Sequence, residues 1–195
     1  MTKERAAIAL MLIVTSLMLN AREVIDLNRD WRFHRGDSKM WQAPDADDGD
    51  WEVINVPHDF QISQPWVEPS PDEMPDLDNP VANIKSRLSA RGFKEVGKGW
   101  YRKCIVPQDE WKDRRVLLDF EGIMLTGDIY LNGERVGGTD YGYLGTEVDI
   151  TDLLKWGEPN VIAVRADTGQ PENSRWYTGG GLFRDVKLII TDARS

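Results

Sequence analysis

The stretch DIYL-NG-ERVG, Asp128 to Gly137, constrains this chain more than any other. Two segments of alternating apolar and polar residues flank Asn132-Gly133. A two-residue loop of that composition closes a β-hairpin, because both of its positions take positive φ. The same period of two recurs along the chain from Arg22 onward. IDLNRDWRFHRG has an irregular start at Leu27 and then puts Trp31 and Phe33 on one face. WEVINVPHDF gives a short strand ending at Pro57, and WYRKCIVP, RRVLLDFEGI, TEVDIT, NVIAVRAD and LFRDVKLIIT read as further strands. One short helix is expected in TDLLKWGEPN, with Thr151 as cap, Leu153, Leu154 and Trp156 facing inward, and Gly157 and Pro159 as stops. Short strands at close spacing with turn signals predict an all-β sandwich or barrel.

Two regions depart from that pattern. From Gln64 to Gly99 the chain is irregular: PWVEPSPDEMPDLDNP carries five prolines in sixteen positions, and a basic, glycine-punctuated segment follows. A loop of that length is unusual inside a compact domain and is expected to be functional or to await a covering partner. At the N-terminus, Lys3 and Arg5 precede an apolar run from Ala6 to Leu19, and Ala21 offers a small exit residue. That layout predicts a secretory signal peptide over residues 1–21 and a single exported, periplasmic domain over 22–195. The run is shorter than a membrane span, so no span is expected once the signal is removed.

Composition closes several functional classes. A net charge of −9 with mixed signs argues against nucleic acid as a partner, which would require a basic stripe. Eight tryptophans suit either a bulky core or platforms for sugar rings. With one cysteine and two histidines, neither an internal disulfide nor a tetrahedral metal site of the usual make-up can be assembled, and no cofactor is called for. Cys104 falls on the same strand face as Trp100 and is expected to be a small buried hydrophobe. The run SRWYTGGGLFRDV contains three consecutive glycines but lacks the lysine and hydroxyl of a phosphate loop. His58 and Asp59 are adjacent in VPHDF; neighbours on an extended chain point to opposite faces, which favours a structural or ligand-orienting pair over a catalytic one. Glu121, in LLDFEGI, comes nearest to a general acid, and a polar residue at a strand end is the stronger reading. Read as an isolated chain, the sequence does not describe a catalyst.

Taken in order, NRDWRFHRGD, VPHDF, GWYRKCIVP, VLLDFEGI, DIYLNGERVGG, TDYGYLGTEVDIT and SRWYTGGGLFRDVKL resemble the N-terminal sugar-binding domain of family 2 glycoside hydrolases, the family of β-galactosidases, β-glucuronidases and β-mannosidases. The resemblance runs from about Glu23 to Thr191. It implies a jelly-roll β-sandwich, followed in the family by an immunoglobulin-like domain and a (β/α)₈ barrel that carries both catalytic glutamates. Those two domains of the full-length enzyme, and a carbohydrate with a β-linked terminal sugar, are the partners it implies. Catalytic residues are accordingly expected outside this chain, and a free-standing carbohydrate-binding module is the alternative. For substrate contact the resemblance points to the segment before the triglycine. Arg175 can offer a planar fork to hydroxyls or carboxylates, or pair with an acidic neighbour. Trp176 can stack on a pyranose or cap the core. Asp59 can contact sugar or form an Asx-type turn after Pro57.

Overall fold

The computed structural model describes residues 22–68, 92–169 and 177–192. Ten strands form two antiparallel sheets: β1 (Glu23–Asp26), β2 (Trp31–Arg35), β3 (Glu52–Ile54), β4 (Lys98–Ile105), β5 (Arg114–Phe120), β6 (Thr126–Leu131), β7 (Glu134–Thr139), β8 (Thr146–Asp149), β9 (Asn160–Asp167) and β10 (Val186–Asp192). One sheet has the order β1-β10-β5-β8 and the other β3-β2-β4-β9-β6-β7. Neighbours within each sheet are mostly far apart in sequence, so the expected β-sandwich is assembled from long-range pairings.

The period of two explains the packing. Trp31 and Phe33 of β2, Tyr101 of β4, Val116, Leu118 and Phe120 of β5, Ile129 and Leu131 of β6, Ile162 and Val164 of β9, and Leu188 and Ile190 of β10 share one buried cluster between the sheets. Each such side chain contributes about 1.5–3 kcal/mol when removed from water. A second, smaller cluster lies on the opposite face of the six-stranded sheet. There Trp51, Trp100 and Ala163 are buried, with Trp41 and Tyr130 packed against them. The segment that follows β2 is held over this face by Arg102, which is buried (2% exposed). Its guanidinium donates to Asp48 Oδ2 at 2.7 Å and to the carbonyls of Trp41, Ala43, Pro44 and Ala46 at 2.7–3.3 Å. All five N–H groups of the fork are thereby used, which is how a cation can be tolerated out of water.

Three local expectations are corrected. The helix expected in TDLLKWGEPN is a single 3₁₀ turn, Thr151–Leu153. Thr151 does not cap it; its hydroxyl accepts from Val116 N at 2.9 Å and donates to Asp149 Oδ1 at 2.6 Å. Leu154 is buried and Trp156 packs on the core, whereas Leu153 points to solvent. The last strand begins at Val186 rather than Leu182, because residues 177–185 are spent on a bridge to Met124 and on the loop that leads to it. Cys104 shares a face with Trp100, as alternation requires, yet it is exposed. The overlying segment is fastened at Arg102, and Cys104, next on that face, borders a cleft with Asp30, Arg32, Asp48, Lys103 and Val161. Most of the expected irregular loop lies outside the described residues, but its root is visible: Val67 N donates to Phe93 O at 2.7 Å, and Trp66 bridges Lys94. Among the described residues, no helix is long and apolar enough to cross a membrane.

Candidate functional site

At one end of the sandwich the chain passes through Thr178-Gly179-Gly180-Gly181-Leu182 beside the segment Pro57-His58-Asp59-Phe60-Gln61. The two run together through backbone bonds, His58 N to Leu182 O at 2.7 Å and Phe60 N to Gly180 O at 3.0 Å. Gly181 also pairs with Met124 in both directions at 2.9 Å. Gly181 has φ +110°, and a Cβ there would collide with the Tyr101 hydroxyl and sit 3.1 Å from the Phe60 ring. Only glycine can let the chain pass so close to the top of β4.

Asp59 holds this turn. Its Oδ1 accepts from Gly180 N at 2.9 Å and from Gln61 N at 2.9 Å, the latter an Asx-type turn. Its Oδ2 accepts from the Tyr177 hydroxyl at 2.7 Å. One carboxylate thus fixes a backbone amide and an aromatic ring more than a hundred residues away. Burial, together with the hydrogen bond and charge of Asp59, pushes the Tyr177 phenol well above its usual range, so it stays a donor. Tyr177 lies against Gly92, whose Cβ would meet its ring at 3.5 Å. The lip therefore joins Asp59, Tyr177 and the root of the long loop.

His58 faces away from Asp59, as alternation along the strand-like segment requires. Its Nδ1 lies 3.0 Å from the Tyr101 hydroxyl, and its ring meets Phe33 edge-on at 4.8 Å. Burial lowers the His58 pKa, with Glu52 and Asp59 pulling the other way. Tyr101, wholly buried, is pushed well above the usual phenol range by the same loss of water. The pair is a neutral hydrogen bond under the turn and forms no relay with Asp59. Glu121 is tied to Lys187 in an ion pair, so its carboxylate serves the end of β5.

Of the three residues singled out for sugar contact, Asp59 stands in the lip, and Arg175 and Trp176 lie outside the described residues. Tyr101, Gln61 and Tyr177 escaped the sequence reading as partners of the turn. The tyrosine was visible in the SRWYTGGG run, but its tie to Asp59 spans 118 residues and leaves no local signal.

The model of the family described as "Glycosyl hydrolases family 2, sugar binding domain" matches residues 24–192. A beta-galactosidase of Bacteroides ovatus is 34% identical over 177 residues, which make up 91% of this chain and 19% of that protein. A beta-glucuronidase of Bacteroides fragilis is 29% identical, covering 94% of this chain and 23% of its own length. Among solved structures, a glycosyl hydrolase family 2 member from Bacteroides cellulosilyticus superposes with a TM-score of 0.72 at 36% identity, covering 87% of this chain and 20% of that one. A beta-glycosidase from Bacteroides vulgatus gives the same TM-score at 31% identity, with 86% and 20% covered. The chain spans about a fifth of the length of these relatives.

Proposed function

The chain belongs to glycosyl hydrolase family 2 as its sugar-binding domain, and on that premise we propose that it serves as the accessory domain of an exported, β-galactosidase-like glycosidase. In this reading it helps close the mouth of an active site whose catalytic groups belong to the rest of such an enzyme, and its partners are the following immunoglobulin-like and barrel domains and a β-linked sugar. The observation that carries the reading is the Asp59 lock. A carboxylate that secures both Gly180 and Tyr177 gives these two residues a defined place at the end of the sandwich, next in sequence to Arg175 and Trp176. Asp59 acts here by positioning, since each of its oxygens already accepts from the protein. Arg175 supplies the planar fork for hydroxyls or a carboxylate and Trp176 the apolar face.

The test is an assay of the isolated chain on aryl β-galactosides and β-glucuronides. Turnover far below that of full-length family members is expected, and turnover within about tenfold of theirs, a difference of 1.4 kcal/mol in barrier, overturns the proposal. Export is part of the same proposal and rests on the charged, apolar and small-residue pattern of residues 1–21, which lie outside the described residues. Cell fractionation should place the processed protein in the periplasm, and retention of the unprocessed chain in the cytoplasm removes that part.

A further inference from the structure

Trp66 is 72% exposed, while Trp31, Trp51, Trp100 and Trp111 are buried. Its ring does not hang freely. The Lys94 ammonium sits 4.0 Å from the indole centroid, over the ring, and donates to Gln64 O at 2.8 Å. The backbones of the two residues are bridged, and Glu95 N donates to Pro65 O at 3.2 Å. Gln64 in turn donates through Nε2 to Phe60 O at 2.8 Å, which ties the indole to the segment that carries Asp59. Two residues before Lys94, Gly92 meets the ring of Tyr177, which Asp59 holds. An indole is thus left largely in water, braced by a cation and linked to the lip segment through Gln64.

We propose that Trp66 is a second sugar platform, on which a pyranose of a β-linked oligosaccharide stacks beside the ring bound at the Asp59–Tyr177 lip. Pyranoses present a face of C–H groups that fits an indole, and a tryptophan has only two side-chain torsions to freeze. Lys94 fixes those torsions in advance, so less ordering cost remains to be met on binding. The ammonium occupies one face of the indole, so the pyranose stacks on the other. The proposal rests on the reading of the lip as sugar-facing, and adds a neighbouring contact with its own residues.

The test is titration of the whole chain with lactose, cellobiose and cellotriose, followed by calorimetry and by the indole N–H resonances, with that of Trp66 assigned from its loss in Trp66→Phe. The Trp66 resonance should move with saturation, and cellotriose should bind more tightly than the disaccharides. Trp66→Ala is at an exposed position where folding is little affected, and it should weaken cellotriose about tenfold or more. Lys94→Met keeps the aliphatic stem and loses the charge, and should weaken it about two- to fivefold, the worth of an exposed cation–π contact. Trp66→Tyr should retain most of the affinity. Unchanged affinity in Trp66→Ala, or a Trp66 resonance that stays still at tens of millimolar sugar, overturns the platform. If Asp59→Ala abolishes binding and Trp66→Ala does not, sugar sits at the lip alone: the platform fails and the proposed function stands. Turnover by the isolated chain does the reverse.

Discussion

Two glycine turns of this molecule solve the same problem by opposite means. At Asn132-Gly133 both residues take positive φ, 51° and 91°, and the turn is pinned by its own asparagine to the neighbouring strand β9. Asn132 donates through Nδ2 to Asn160 Oδ1 at 2.8 Å and accepts from Val161 N at 3.0 Å, both on the strand beside it. At Gly179–Gly181 the positive φ values of 78° and 110° are held from outside, by Asp59 in a loop more than a hundred residues earlier. The hairpin turn reverses the chain and fastens it to the start of β9. The triglycine turn must also hold Tyr177, and a carboxylate that can accept several bonds at once does both.

The sharpest way to break the comparison is to add one methyl group to each turn. Gly181→Ala puts a Cβ into the Tyr101 hydroxyl and the Phe60 ring at φ +110°, so strain and overpacking act together. It should cost about 3 kcal/mol or more. Gly133→Ala places its Cβ 3.4 Å from Pro44, with strain but little collision, and should cost about 1–2 kcal/mol. Urea unfolding of the two variants decides the point, and equal losses would remove the distinction.

The next effect concerns the polar partners. Asp59→Ala leaves Gly180 N, Gln61 N and the Tyr177 hydroxyl without their acceptor, and should cost about 2–3 kcal/mol. Asn132→Ala loses two bonds and forces alanine to positive φ, for about 1–2 kcal/mol. Asp59→Asn sharpens the contrast, since an amide oxygen still accepts the backbone N–H groups while its NH₂ must meet a tyrosine hydroxyl turned to accept. A loss for Asp59→Asn close to that of Asp59→Ala would mean that the charge itself, and not geometry, holds the lip.

The same contrast explains what could be read from the sequence. Asn132-Gly133, the alternation of β4 to β10 and the inward face of Trp31 and Phe33 rest on rules that act over a few residues, and they were legible. The sugar-binding family was legible because seven such local motifs occur in order. Tyr101, Gln61 and Tyr177 as partners of the turn were not, because each owes its role to a neighbour supplied by the topology. Cys104 shows the limit of alternation. Period two correctly assigned its face, but burial on that face depends on how far the segment clamped by Arg102 extends, and it leaves Cys104 at the rim of a cleft. The 3₁₀ turn at Thr151–Leu153 shows the same limit, since Asp149 and Val116 claim the Thr151 hydroxyl that a cap would have used.

The smallest expected effect separates the turns by pH. Nothing titratable holds Asn132-Gly133, whereas the triglycine turn rests on His58 and its bond to Tyr101. Burial lowers the folded-state pKa of His58 below its unfolded value near 6.5, so the unfolded chain takes up a proton that the folded chain resists. Stability contributed by neutral His58 is therefore fully present above pH 6.5 and falls as the pH drops through 6.5 toward the lowered folded value, where the decline levels off. Tyr101 stays a neutral phenol throughout. Urea unfolding between pH 7.5 and 5.5 should show this fall in the wild-type chain. His58→Gln keeps a hydrogen-bonding side chain without the titration and should flatten the fall, while Asn132→Ala should shift the whole curve without changing its slope. A slope that survives in His58→Gln would move the pH sensitivity out of the turn and end the contrast at this level.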